Sequence, residues 1–170
     1  MEYVLRIRKD AEEDAFRVYD WYEDQSMGFG FRLQPAMSVP KIIGSAPILL
    51  VHDVAASAGY YRNHVGFEIK GMWGEPPNFC IVERDGYCLM LCAAENEGDI
   101  RPNYKAVENL WNVYFWVDNV DAMYQEILKT NAKLDYELCD QPYGCREFGI
   151  QDLDGYDIAF GQDLGPAGRK

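Results

Sequence analysis

The chain reads as an α+β protein built from two tandem β-α-β-β-β units, and three observations predict this. Residues 145–161, CREFGIQDLDGYDIAFG, alternate apolar and polar positions on both sides of Asp154-Gly155, the pattern of two strands joined by a tight turn. Residues 79–93, FCIVERDGYCLMLCA, repeat that arrangement around Asp85-Gly86-Tyr87. Upstream of each hairpin an apolar run ends in an aspartate and leads into a helical pattern: 47–52 before Asp53, and 112–117 before Asp118. An aspartate there is placed to cap the helix by accepting from its free N–H groups.

Taken in order, residues 1–35 stand outside the repeat as a strand-helix appendage. Val4, Leu5 and Ile7 form a short strand pattern, Asp10 can cap a helix carrying Ala11, Ala15, Val18 and Tyr22 on one face, and Gly28-Phe29-Gly30 ends it. Residues 36–45, with Pro40 and Gly44, read as a linker. The main domain is expected over 46–163, with units at 46–93 and 112–161 and a tail at 164–170. In the first unit a helix with Val54, Ala58, Tyr61 and Val65 on one face stops at Gly66; a strand from Phe67 to Trp73 then breaks at Gly74-Glu75-Pro76-Pro77. In the second unit the helix is predicted to bury Val120, Met123, Tyr124, Ile127 and Leu128. Tyr136 and Leu138 mark a strand, and Gln141-Pro142-Tyr143-Gly144 marks the turn before the last hairpin.

The repeated unit, with VDNVDAMY at 117–124 and REFGIQDLDGYDIAF at 146–160, resembles the vicinal-oxygen-chelate superfamily, which includes glyoxalase I, extradiol dioxygenases, fosfomycin-resistance enzymes and bleomycin-resistance proteins. The final hairpin is most similar to the bleomycin-resistance branch. The resemblance implies a curved, cup-shaped mixed sheet, but one scaffold in this superfamily hosts many activities, so function has to come from the site. Residues 1–35 resemble the opening strand and helix of RelE/ParE-type toxins; the later strands of that family have no counterpart, and no toxin activity is carried over.

Composition bounds the function classes. A chain of 170 residues with 48% hydrophobic content has room for one substantial core. No run is long and apolar enough for a membrane helix, and MEYVLRIRKD is too charged for a signal peptide, so a cytoplasmic protein is expected. The net charge of −12 disfavours nucleic acid and anionic membranes as partners. The acids either favour a cationic ligand or form a solvated surface. Cys80, Cys88, Cys92, Cys139 and Cys145 are odd in number and match no zinc spacing, which predicts free thiols.

The metal-dependent branches use His or Glu at four matched strand positions. Those positions fall here at Ala46, Met90, Asn112 and Ala159, a set unable to hold a divalent cation. No metal and no cofactor is therefore expected, and electrophilic polarisation of a substrate oxygen is disfavoured. The two histidines read as a polar strand end (His52) and a helix-terminal group (His64). The four serines, at 26, 38, 45 and 57, include no nucleophile elbow, and no catalytic residue is assigned. Arg146-Glu147 reads first as a pair of ladder-edge charges satisfying each other or the backbone, and second as ligand contacts.

Strand alternation places Leu50, His52, Met90, Asn112, Tyr114, Trp116 and Asp157 on the face of the matched positions, with Trp73 and Trp111 at its rim. These nine are the candidate ligand-binding residues. An aromatic face with a few polar groups suits a small-molecule pocket. The same residues could instead form a closed core or, for Tyr114 and Trp116, a dimer interface. The resemblance implies a homodimer that sequesters a cationic or aromatic compound of the bleomycin type. A glyoxalase-type lyase or isomerase and a non-binding scaffold are the alternatives.

Overall fold

A computed structural model describes residues 42–165. The strand and helix expected within 1–35 lie outside the described residues, as does most of the expected linker. The described elements are β1 (Ile48–Val51), α1 (Val54–Val65), β2 (Glu68–Trp73), β3 (Phe79–Arg84), β4 (Tyr87–Ala93), β5 (Val113–Trp116), α2 (Val120–Leu128), β6 (Lys133–Asp140), β7 (Cys145–Gln151) and β8 (Asp157–Asp163). The strands form two four-stranded mixed sheets, ordered β1-β4-β3-β2 and β5-β8-β7-β6. In each sheet the first strand pairs parallel with the last and the other pairs are antiparallel. This is the predicted β-α-β-β-β unit, twice.

Local chemistry explains where the helices begin and end. Asp53 accepts the Ala56 N–H at 2.9 Å and opens α1, and Gly66 closes it in the left-handed region at φ 75°. In the second unit the capping residue is Asn119, which accepts from the Ala122 N–H at 3.0 Å, and not Asp118 as the sequence led us to expect. One extra residue after β5 moves the cap along by one position. Helix α2 is also shorter than its sequence pattern: Val120, Met123 and Ile127 are buried, Tyr124 is half-buried, and Leu128 is exposed at its end.

One core serves both units. Leu49, Val51, Leu89, Leu91, Cys80 and Val82 from the first sheet join Val113, Phe148, Ile150, Ile158 and Phe160 from the second, with both helices between. Phe148, Phe160 and Phe115 stack in series at centroid separations of 5.2 and 5.6 Å, and Phe67 reaches Phe115 across the unit boundary at 5.9 Å. Polar clasps reinforce the join. Tyr61 donates to Asp152 at 2.7 Å, Tyr156 donates to the Leu50 carbonyl at 2.8 Å, and Arg84 pairs with Glu126 at 2.9 Å. Because each sheet spends its helix-bearing face on this core, the alternate side chains of every strand point outward. Ile48, Trp73 and Trp116 on those outer faces are 63%, 51% and 63% exposed.

Candidate functional site

The ladder register shows which residues share an outer face. In the first sheet, Ile48 aligns with Met90 and Ile81, and Leu50 aligns with Cys92 and Phe79. Trp73, at the end of β2, packs on Phe79 at 5.6 Å. Three of the nine candidates, Leu50, Met90 and Trp73, therefore lie on one apolar surface.

In the second sheet, Tyr114 aligns with Ala159 and Gly149, and Trp116 aligns with Gly161 and Glu147. The two glycines make room for rings lying across the sheet. A Cβ on Gly149 would collide with the Tyr136 ring, and one on Gly161 with the Tyr114 hydroxyl. Trp111, Tyr114 and Trp116 form a continuous aromatic row with centroids 5.0 and 4.9 Å apart.

The centre of this face is Glu147, whose side chain is fully buried. Its carboxylate accepts from Tyr143 at 2.6 Å, Tyr114 at 2.8 Å and Tyr136 at 3.2 Å. No lysine or arginine pairs with it among the described residues; the neighbouring Arg146 is bound instead to Asp121 and Asp140. The sequence reading of Arg146-Glu147 as a mutually satisfied edge pair is corrected by this geometry. Successive strand residues face opposite ways, so Arg146 and Glu147 cannot meet. Burial, and then the hydrogen bond or charge of Glu147, raises the pKa of Tyr114, Tyr136 and Tyr143, so all three hydroxyls keep their protons and remain donors.

The remaining candidates differ in their availability. Asn112 uses its side-chain oxygen to accept the Asn103 N–H at 3.1 Å, which holds the inter-unit linker. Asp157 is buried and accepts from Gln151 at 3.0 Å, and burial raises its pKa. His52 does not join the outer face. Strand β1 ends at Val51, alternation stops there, and the His52 ring sits 2.6 Å from Asp154 in the β7–β8 turn. His64 is half-buried at the end of α1 and donates to the Thr130 carbonyl at 2.5 Å.

The four family-matched metal positions do not fit a metal. Ala46, Met90 and Ala159 lack a hard donor, and the Asn112 oxygen is already engaged. Among the described residues no three His, Cys, Asp or Glu side chains converge on a common point.

Glu147, Tyr136 and Tyr143 were not among the nine sequence candidates. A usable signal was present: Phe148 and Ile150 are core-facing, so Glu147 had to face outward beside Trp116. The gathering of the two further tyrosines depends on the bulged β6–β7 register and on the 141–144 turn, neither of which local pattern reveals.

Comparison with known proteins places the chain. Residues 42–160 match the model of the Glyoxalase/Bleomycin resistance protein/Dioxygenase superfamily, and the chain belongs to that family. Comparison with curated proteins found no match. Among solved structures, TioX from Micromonospora sp. ML1 is 18% identical with a TM-score of 0.58, covering 71% of this chain and 98% of its own. The bleomycin-binding protein of bleomycin-producing Streptomyces verticillus, complexed with copper(II)-bleomycin, is 22% identical with a TM-score of 0.54, covering 74% and 98%. TnmS3, an antibiotic binding protein from Streptomyces sp. CB03234, is 20% identical with a TM-score of 0.55, covering 75% and 98%. At these identities the likeness concerns the fold. No helix among the described residues is long and apolar enough to cross a membrane.

Proposed function

We propose that this protein binds, without metal chemistry, a small organic cation with an aromatic body, holding it in a cup built on the outer face of the second sheet. The observation that carries this reading is Glu147, a fully buried carboxylate with three tyrosine hydroxyls and no cationic partner among the described residues, in register with an exposed tryptophan. Three neutral donors leave the site with a net negative charge inside an aromatic wall, and such a wall favours a cation both by charge and through the ring faces. Two fold neighbours, one bound to copper(II)-bleomycin and one an antibiotic binding protein, support sequestration of a drug-like molecule over its conversion.

Among the described residues each outer face is open, because the helix-bearing faces are consumed by the shared core. A two-fold homodimer that brings the first sheet's apolar face of one copy against the second sheet's aromatic face of the other would close two equivalent cups. The free thiols of Cys80, Cys88, Cys92 and Cys139 support a reducing compartment, the cytoplasm.

The test is calorimetric titration of the full chain and of Glu147→Gln with metal-free bleomycin and with a panel of planar aromatic cations, each beside a neutral analogue of the same shape. The variant keeps the size of the side chain and removes its charge. It is expected to lose at least tenfold in affinity for the cation, about 1.4 kcal/mol, and little for the neutral analogue. Equal losses for both, or no binding by the parent chain to any member, would remove the reading.

A further inference from the structure

The repeat creates two pseudo-equivalent junctions, each where the Asp-Gly turn of one unit meets the strand-to-helix corner of the other. At the first, Asp154 of the β7–β8 turn is fully engaged. It accepts from the His52 backbone N–H at 2.9 Å and from Ser57 Oγ at 3.0 Å, and the His52 ring nitrogen lies 2.6 Å away. The protein supplies its own nitrogen-bearing ring to this turn acid.

At the second junction that ring is missing. The first residue after β5 is Val117, where the first residue after β1 is His52. Between the β3–β4 turn and the β5–α2 corner lies a cleft of about 400 Å³. It is lined by the apolar and aromatic side chains of Phe67, Phe115, Trp116, Phe160 and Met123 and by the charged groups of Asp85, Asp118, Arg84 and Glu126. Arg84 does not neutralise the rim as a whole. Its guanidinium is forked onto Glu126 at 2.9 and 3.0 Å, donates to the Val65 carbonyl, and reaches Asp85 only at 3.4 Å through Nε. Asp118, displaced from the cap by Asn119, has neither a hydrogen bond nor an ion pair among the described residues.

From this asymmetry we infer a second binding site: the cleft takes an arylalkylamine, its ammonium between Asp85 and Asp118 and its ring on the phenylalanine floor. The volume suits a one- or two-ring body. An ammonium here repeats what the His52 ring does at the other junction, and two exposed carboxylates at the mouth disfavour an anion of the same shape. Phe115 and Phe160 belong to the core side of the sheet and Glu147 to its outer side, so the cleft and the proposed cup adjoin only at Trp116, which lines the cleft and also stands in register with Glu147. The inference does not depend on the cup reading.

The experiment titrates the full chain with tryptamine, using indole-3-propionate as the anionic control, and follows the Met123 and Ala122 methyl groups in the cleft and the Trp111 indole in the cup's aromatic row by NMR. Tryptamine is expected to shift both methyls and to bind at least tenfold more tightly than the propionate. Asp85→Asn with Asp118→Asn should weaken it about tenfold, and both residues are exposed enough for the fold to tolerate the change. Ala122→Trp should abolish binding by filling the cleft, whereas Glu147→Gln should leave this titration unchanged while it weakens the cup. Equal binding of the propionate, shifts confined to Trp111, indifference to the double substitution, or no methyl shift at millimolar tryptamine would each overturn the assignment.

Discussion

Where β1 of the first unit turns Ile48 and Leu50 outward, β5 of the second turns Tyr114 and Trp116 outward. Where β3 places Phe79 and Ile81 on that face, β7 places Glu147 and Gly149. The inward faces diverge less: both sheets give the shared core apolar side chains in the same alternation, aliphatic with Cys80 in the first and aliphatic with Phe148 and Phe160 in the second. Duplication therefore preserves what both copies need, a buried face for one helix, and leaves the outer face free to specialise. The first sheet has become an apolar wall, and the second an aromatic bed around a buried charge.

The comparison would break most visibly if the two units were separable. Phe148→Ala in the second unit and Leu91→Ala in the first should each cost about 3–5 kcal/mol, since both side chains are fully buried in one continuous core. Each variant should also keep a single unfolding transition in urea, with tryptophan fluorescence and far-ultraviolet dichroism superimposing. Two resolved transitions for Leu91→Ala would mean that each unit holds its own core.

A somewhat smaller effect distinguishes the junctions. Burial, against hydrogen bonds from Tyr61 and the Tyr156 and Asp154 N–H groups, pushes Asp152 from 3.8 up to about 6. The folded chain then holds this proton more tightly than the unfolded chain. The resulting stability is fully present below about pH 4, is lost as pH rises through about 6, and is flat above that, a change of roughly 3 kcal/mol at most. Urea midpoints measured from pH 4 to pH 7 should fall less steeply for Asp152→Asn than for the parent. The exposed Arg84–Glu126 pair at the opposite junction contributes under about 1 kcal/mol, and Glu126→Gln should leave the pH profile of the parent in place.

The outer faces are compared by removing one tryptophan from each. Trp116 lies in the aromatic row beside Tyr114, in register with Glu147, and Trp116→Ala should cost a bound aromatic cation about 2 kcal/mol, roughly thirtyfold in affinity. Trp73 packs on Phe79 at the edge of the apolar wall, and Trp73→Ala should cost less than a third of that in free energy. If the two losses are equal, the second sheet is not the specialised one. Thermal unfolding of both variants separates lost binding from lost structure.

The architecture was legible because its signals are local and repeated: two Asp-Gly turns, two apolar strands running into helices, and apolar alternation that names the core residues of β4 and β7 with the correct phase. The outer face was legible in part, since alternation alone aligns Met90, Tyr114 and Trp116 with the family-matched positions. What was not legible depends on contacts between distant segments. Glu147 looked paired with Arg146 because they are adjacent in sequence, whereas its three tyrosine donors come from β5, β6 and the 141–144 turn. His52 looked like part of the strand because nothing local shows that β1 stops one residue earlier and that Asp154, about a hundred residues away, claims the ring.

The smallest difference between the units concerns one residue at a helix start. Asp53 caps α1, so the sequence repeat points to Asp118 as the cap of α2, but the hydrogen bond to the Ala122 N–H comes from Asn119. The Asn119 backbone is non-helical at φ −145° and ψ 87°, as befits a capping residue that stands just outside the helix. Asn119→Ala should therefore lower stability by about 1 kcal/mol, close to the effect of Asp53→Ala. Asp118→Ala should stay within about 0.5 kcal/mol of the parent, because an exposed side chain without a hydrogen bond loses nothing on truncation. Urea denaturation of the three variants side by side measures all of these values. A cost of 1 kcal/mol at Asp118 with none at Asn119 would return the cap to the aspartate and make the two units alike at this corner too.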